Sequence, residues 1–234
     1  MPASSFLTGA AWVFLGAGLA VAVVVIVRIY LLGYREHMKV MEAVWPLTAL
    51  YGGPLALAAY VRWRRPMLGG AMPAERRPRA HGMPAKPLWA GVAVSATHCG
   101  AGCVLGDLIA EWVVFAAGLK VAGMTLSAEY LLDYVLALGW GILFQYFAIA
   151  PMRRLPPGEG LRRAAKADFL ALTAFEAGLF GWMAIVQLVI FPAPHLPVDT
   201  AAFWFLMQVG MLVGLVTTFP VNWWLIRRGI KEAM

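Results

Sequence analysis

The chain has 234 residues, of which 62% are hydrophobic and only 13% are charged, and its mean hydropathy is +0.74. Soluble domains carry about 45–50% apolar and about 25% charged residues, so this composition excludes an ordinary soluble domain and indicates an integral membrane protein. The net charge of +7 would suggest a nucleic-acid partner in a soluble chain. Because the basic residues lie between apolar segments, we instead expect contacts with lipid headgroups, and no nucleic-acid partner.

Six apolar segments are each long enough to cross about 30 Å of hydrocarbon. The sequence therefore predicts an all-α, polytopic membrane protein whose single domain is a six-transmembrane-helix bundle. Because the N-terminus lacks the positive region of a signal peptide, we expect the first span to be retained. The predicted spans are residues 8–32, 40–63, 88–119, 127–151, 169–191 and 201–226.

The distribution of Lys and Arg predicts the orientation of the bundle. Fifteen of the 19 basic residues fall in three segments that lie on one side of the predicted spans, and the other four lie on the opposite side. The positive-inside rule then places the basic segments and both termini in the cytoplasm, and we expect a bacterial inner membrane. The basic loop 64–87 is expected to be a flexible linker, with a soft-metal docking loop built on Met67, Met72, His81 and Met83 as the alternative.

The third span carries an unusual ladder of polar and thiol side chains. Both cysteines of the chain, Cys99 and Cys103, are followed at the same spacing of four residues by Asp107 and Glu111. On a helix that turns about 100° per residue, each step of four drifts by only about 40°, so the four side chains share one face. His98 points about 100° away from Cys99 and joins that face only if the helix unwinds at the nearby glycines.

Further charged residues lie inside or at the ends of other spans. Glu42 begins the second span, Glu129 and Asp133 begin the fourth, and Glu176 lies in the fifth. An acidic residue at the bilayer centre costs roughly 2.5–3.5 kcal/mol, so such residues are rare and usually functional. We expect an ion or proton pathway through Asp107, Glu111, Glu42, Asp133 and Glu176, with Arg28 as a structural ion-pair partner. The alternative is that these acids are static partners that hold the bundle together.

The thiols suggest a soft metal ion as the cargo. Thiolate and thioether ligands select Cu(I), and two cysteines on adjacent turns could give the two-coordinate geometry that this ion accepts. The candidate metal ligands are Cys99, Cys103, His98, Met38 and Met41. The same two thiols could instead form a disulfide and serve in electron transfer, and their spacing does not separate the two uses. In the outer loop, His195 and Asp199 are expected to be solvated.

Three motifs resemble those of a bacterial multi-span membrane family that is catalogued as a domain of unknown function. They are MEAVWPLTALYGGP at residues 41–54, THCGAGC followed by Gly106 and Asp107, and FPVNWWL at residues 219–225 followed by residues 229–231. The resemblance spans roughly residues 37–234. It implies a multi-span protein with a preserved thiol-and-acid site, and some members carry a loose copper-oxidase label. The chain lacks the His-rich ligand motifs of multicopper oxidases, so we exclude oxidase activity.

These observations predict a membrane protein that binds a soft metal ion, with copper as the expected ion, and moves it across the membrane. We expect a transporter or metal-handling protein rather than an enzyme, with the lipid bilayer and the metal ion as its partners. The outer acids would concentrate the cation, the methionines would relay it and the cysteines would hold it. Asp107 would carry a coupled proton, because a carboxyl group buried in hydrocarbon favours its neutral form. The alternatives are a non-catalytic subunit or assembly factor of a larger membrane complex, a thiol-disulfide oxidoreductase, and transport of protons alone. A homo-oligomer is also consistent with the sequence.

Overall fold

The structure, a computed structural model, describes residues 5–64, 87–153 and 155–232 and contains no β-strand in these ranges. The methionines and His81 of the basic loop lie outside the described residues. Within them, six helices are long and apolar enough to cross a membrane, which confirms the predicted all-α, multi-pass fold. The helices are α1 (Ser5–Ile26), α2 (Met41–Trp63), α3 (Leu88–Ala117), α4 (Thr125–Arg153), α5 (Pro157–Ile185) and α6 (Ala201–Arg227), with one-turn π-helical extensions of α1 over Val27–Leu31 and of α5 over Val186–Ile190.

The bundle has two ends, which hold different segments of the chain. We call the end that holds residues 32–40, 118–124 and 191–200 the loop face. The opposite end, which holds residues 155–156 and 228–232, is called the terminal face. Some helices begin or end with residues suited to that position. For example, α3 ends at Gly118, whose φ of +60° is the left-handed conformation that commonly closes a helix.

A kink divides α2 near its middle. Gly53 has φ +49° and ψ −131° inside the helix, immediately before Pro54. Proline lacks an N–H group and disfavours helical geometry in the residue before it, and glycine adopts a positive φ without a steric penalty. The Gly-Pro pair therefore bends α2 in the half that leads to the terminal face.

Two clusters of buried side chains form the core. The first cluster packs Cys99 and Cys103 of α3 against Leu172 and Phe175 of α5 and Phe203 of α6. The second cluster is centred on α2 and includes Met41, Trp45 and Tyr60 together with side chains of α1 and α4. α3 contributes to both clusters, and 61% of its most apolar stretch is buried, more than in any other helix of the described chain.

The outer surface of the bundle is apolar. Leu31, Leu55 and Val216 are each more than 70% exposed, and many other large hydrophobic side chains are also exposed. Such a surface would cause aggregation in water, whereas hydrocarbon tails solvate it without penalty. The structure therefore supports a membrane location, and α3 is the helix that is most completely shielded from the lipid.

Candidate functional site

The predicted ladder lies on a buried part of α3. The exposed fractions of Cys99 and Cys103 are 0%, and those of Asp107 and Glu111 are 2%. Leu88–Ala117 forms one continuous helix, so the segment that holds the cysteines is helical rather than unwound. At 1.5 Å per residue, the ladder rises about 18 Å from Cys99 to Glu111, more than half of the hydrocarbon thickness.

The acidic half of the ladder meets carboxyl groups from two neighbouring helices. Asp107 interacts electrostatically with Glu111, with Asp133 of α4 and with Glu176 of α5. Asp133 in turn interacts with Glu111 and Glu176. Asp133 and Glu176 are only 2% and 1% exposed. The structure thus gathers four of the predicted pathway residues, and we call Asp107, Glu111, Asp133 and Glu176 the acid cluster.

Two further residues connect the acid cluster to the loop face. Glu129 lies one turn before Asp133 on α4, and it interacts electrostatically with Glu111 and with His195. His195 is exposed, as the sequence predicts for this loop, and its Nδ1 lies 2.8 Å from the carbonyl oxygen of Gln187. Together with the acid cluster, these two residues form a series of titratable groups that extends from an exposed imidazole towards the middle of the bundle.

The acid cluster has no basic side chain to balance its charge among the described residues. Burial disfavours a carboxylate, and neighbouring negative charges disfavour it further. No Lys or Arg forms an ion pair with the cluster in the part of the chain that the structure describes. Both carboxyl oxygens of Asp107 also lack a hydrogen-bond partner among the described residues. The cluster therefore lacks a positive charge that would stabilise its ionised form, and the oxygens of Asp107 are available to accept or donate a proton.

Below the acid cluster, the thiols lead to a second buried group. Cys103 interacts with Glu176 above it and with Cys99 one turn below it. The thiol of Cys99 donates to Oδ1 of Asp168 at 3.2 Å, and the same oxygen accepts from Nζ of Lys231 at 2.8 Å. Nζ of Lys231 also lies 3.4 Å from Sγ of Cys99. We call Cys99, Asp168 and Lys231 the lysine group.

The segment after α6 places Lys231 inside the bundle. Gly229 has a φ of +68°, and the N–H of Ile230 donates to the carbonyl oxygen of Leu225 at 3.0 Å, so the chain folds back over the end of the helix. Farther along, the Ser95 hydroxyl donates to the carbonyl oxygen of Glu232 at 3.2 Å. The side chains of Lys231 and Asp168 are both fully buried. The C-terminal segment therefore covers the lysine group at the terminal face.

Comparison with known proteins places this region in a family. The profile of a domain of unknown function (DUF4396) matches residues 88–231, more than half of the chain. The chain belongs to this family. No curated protein and no solved structure matches it. The predicted resemblance to an uncharacterised family is thereby confirmed, over a narrower range than the sequence motifs suggest.

The DUF4396 region covers α3 to α6 and ends at Lys231. It thus contains the whole acid cluster and the whole lysine group, whereas α1 and α2 lie outside it. The family description names no activity, so the function has to be argued from the site itself.

Sequence reasoning missed two residues of the lysine group. Lys231 lies beyond the last apolar span, where a basic residue is expected to mark orientation. Asp168 lies just outside the predicted fifth span, which begins at residue 169, whereas α5 begins at Pro157. The small apolar residues Ala164, Ala167 and Ala171, all buried, are the signal that the helix continues into the core around Asp168.

The predicted site residues outside the DUF4396 region do not join Cys99 and Cys103. Met38 and Met41 pack in the second core cluster, whereas both cysteines belong to the first. Glu42 forms an ion pair with Arg35, with Nε 2.9 Å from Oε1. The guanidinium of Arg28 lies over the ring of Tyr34, 4.8 Å from its centroid.

His98 lies near the lysine group rather than between the thiols. It is fully buried and interacts electrostatically with Lys231 and Asp168. Neither of its ring nitrogens has a hydrogen-bond partner among the described residues. Across those residues, no group of three or more His, Cys, Asp and Glu side chains is arranged to hold a metal ion.

Proposed function

We propose that this protein translocates protons across a bacterial inner membrane, with both termini in the cytoplasm. The observation that carries the proposal is the series of mutually interacting titratable groups inside the bundle. This line of groups begins at the exposed His195 and the half-buried Glu129, passes through the acid cluster and Cys103, and ends at the lysine group. A neutral carboxyl group has one oxygen that donates and one that accepts, so a chain of such groups can pass a proton when each group accepts a proton at one oxygen while it releases its own proton from the other.

The lysine group gives this line a defined end. Nζ of Lys231 forms an ion pair with Oδ1 of Asp168 at 2.8 Å, and Asp168 is the acid of this line nearest the terminal face. A polar cavity of about 330 Å³ lies on the terminal face and is lined by Lys166, Arg228 and Glu232 among others. Its wall also includes Ile230, the neighbour of Lys231, so this cavity offers a route to water from the end of the line.

The soft-metal hypothesis remains a prediction, and one contact weighs against it. Nζ of Lys231 lies 3.4 Å from Sγ of Cys99, so a positive charge already lies beside this thiol. Two cations at such a separation repel each other strongly in a medium of low dielectric constant. The carboxyl line needs no metal, and we therefore prefer protons as the transported species.

Proton flux in vesicles tests the proposal. Purified protein is reconstituted into liposomes, a potassium diffusion potential is applied with valinomycin, and an entrapped pH dye reports proton movement. Glu176→Gln removes the titratable group that joins the acid cluster to Cys103, so we expect flux to fall by about tenfold or more, as for loss of a proton-transfer group. The matched control is Glu159→Gln on the same helix, where the carboxylate is exposed and pairs with Arg163, and its flux should equal that of the wild type.

Two outcomes would count against the proposal. One is wild-type flux no higher than that of protein-free liposomes, and the other is equal flux in Glu176→Gln and the wild type. Elemental analysis of the same preparations addresses the metal. Copper that co-purifies with the wild type and is lost in Cys99→Ser/Cys103→Ser would favour the soft-metal hypothesis. Metal-free protein that carries protons would favour the proposal of proton translocation.

A further inference from the structure

A cleft between α1, α2, α3 and α6 opens towards the lipid. It has a volume of about 370 Å³, and its walls are mainly leucine and methionine side chains together with Trp112 and Trp204. Leu19 and Trp112 at its rim are 60% and 45% exposed, so the mouth faces the surrounding hydrocarbon. A molecule dissolved in the bilayer can therefore reach the cleft without passing through water.

The inner end of the cleft is polar. Asp107 lines it, is 2% exposed, and has no hydrogen-bond partner for either carboxyl oxygen among the described residues. Tyr51 also lines it and is 6% exposed, and its hydroxyl group lies beside Gly100 of α3. Buried polar groups are normally paired, so an unpaired carboxyl group in the wall of a cavity indicates a missing ligand.

The charge around this polar end favours a cation. The described lining includes a carboxyl group but no Lys or Arg. Asp107 also interacts electrostatically with Glu111, Asp133 and Glu176, which make the electrostatic potential more negative whenever any of them is ionised. The groups that face Asp107 from α2 and α6 are Tyr51 and Gln208, which are uncharged.

The walls of the cleft also suit a cation. The rings of Trp112 and Trp204 are nearly parallel, with an interplanar angle of 21° and centroids 6.4 Å apart. Aromatic faces attract cations, and aromatic cages combined with apolar walls are the usual recognition site for quaternary ammonium groups. A metal ion would find only one carboxylate here and no further charged ligand in the described lining.

We propose that this cleft binds a lipophilic monovalent organic cation, such as a quaternary ammonium or phosphonium compound, with its charge beside Asp107. The inference rests on the proposed function, because Asp107 belongs to the acid cluster and would release its proton when the cation arrives. The cation is then the cargo that exchanges against protons. An uncharged lipid-soluble molecule is the rival occupant.

Binding of tetraphenylphosphonium to the purified full-length protein in detergent tests the inference. Equilibrium dialysis should show saturable binding to the wild type that weakens by about tenfold or more in Asp107→Asn, because a desolvated charge pair is lost. Tetraphenylborate has the same shape and the opposite charge, and it should show no saturable binding. Equal binding of both ions, or unchanged binding in Asp107→Asn, would overturn the inference, and equal binding would indicate an uncharged occupant.

A second pair of variants avoids changing a buried residue. Leu19→Trp enlarges an exposed side chain at the rim and should weaken tetraphenylphosphonium binding by about tenfold through steric exclusion. Val23→Trp lies one turn farther along α1, is also exposed, and does not line the cleft, so its binding should match the wild type. If Leu19→Trp binds as tightly as Val23→Trp, the ion does not occupy this cleft.

Proton flux measured on the same preparations separates the two proposals. Wild-type protein that carries protons but does not bind tetraphenylphosphonium would overturn only the cation site. Protein that binds the ion through Asp107 but carries no protons would overturn the proposed function and leave the cation site standing.

Discussion

At the scale of single residues, Lys231 is a buried charged side chain at the terminal end of the bundle. Burial lowers its pKa, but the carboxylate of Asp168 and the neighbouring Cys99 raise it by more, so the pKa lies above the ordinary value of 10.5. Lys231 therefore remains an ammonium at physiological pH. Removing one partner of such a buried pair leaves an uncompensated charge, which is far more costly than removing both.

Lys231→Met is therefore expected to destabilise the protein by about 3–5 kcal/mol, because Asp168 would remain buried without its partner. The double variant Lys231→Met/Asp168→Asn should recover most of that loss. Lys166→Met is the matched control, because this lysine is exposed on α5 and its loss should cost no more than about 0.5 kcal/mol. Thermal unfolding in detergent, followed by tryptophan fluorescence, gives all four values.

The same ion pair gives the stability a defined dependence on pH. A lysine whose pKa is raised in the folded state contributes stability that is fully present below its unfolded pKa of about 10.5. This contribution is lost as the pH rises through the higher folded pKa. The wild type should therefore lose stability above that range relative to Lys231→Met/Asp168→Asn, and parallel pH curves for the two proteins would contradict the assigned pair.

At the scale of the elements, close packing of α3 on α4 brings the acidic residues together. A Cβ atom added at Gly102 would lie 2.7 Å from the backbone nitrogen of Gly141, and one at Gly106 would lie 2.7 Å from Cα of Ala137. Both distances are too short for real atoms. The glycines beside the thiols are thus contact points that let the two helix backbones approach, as small residues do in membrane bundles. That approach brings Asp107 close to Asp133.

Gly106→Ala is expected to push α4 away from α3 and to destabilise the bundle by about 1–3 kcal/mol. Gly139→Ala is the matched control, because a Cβ atom at Gly139 meets nothing within 4 Å and alanine is the better helix former. Thermal unfolding in detergent compares the two variants. A Gly106→Ala protein as stable as Gly139→Ala would show that this contact does not hold the helices together.

At the scale of the whole molecule, the even number of membrane-spanning helices in the described chain puts the first residue of α1 and the last residue of α6 on the same side of the membrane. The basic residues Arg227 and Arg228 at the end of α6 favour the cytoplasm for that side. With this orientation, the proposed proton line opens outward at His195 and inward beside Lys231.

Reporter fusions in a bacterial host check this orientation. Green fluorescent protein fused after residue 234 should fluoresce, and alkaline phosphatase at the same point should be inactive, because both termini are expected in the cytoplasm. Phosphatase inserted in the loop-face turn 118–124 should be active. The reverse pattern would invert the proposed direction of the line without changing its residues.

The composition of local segments was enough to predict several features of this protein. Runs of apolar residues of bilayer length specify six membrane-spanning helices, because the hydrocarbon core requires every backbone polar group to be paired within the segment. The spacing of Cys99, Cys103, Asp107 and Glu111 predicted their shared face, because helical periodicity is a local property. The sequence could not show which side chains from other helices meet that face.

Only the tertiary structure decided the membership of the site. Asp133 and Glu176 join the ladder because α4 and α5 pack on α3, whereas Met38 and Met41 lie in the other core cluster. Lys231 pairs with Asp168 across 63 residues of sequence, and a chain reversal at Gly229 brings it there. Local sequence determines which segments enter the membrane, since insertion depends on the composition of each segment. Contacts between helices depend on shape complementarity over the whole bundle, and no short stretch of sequence contains that information.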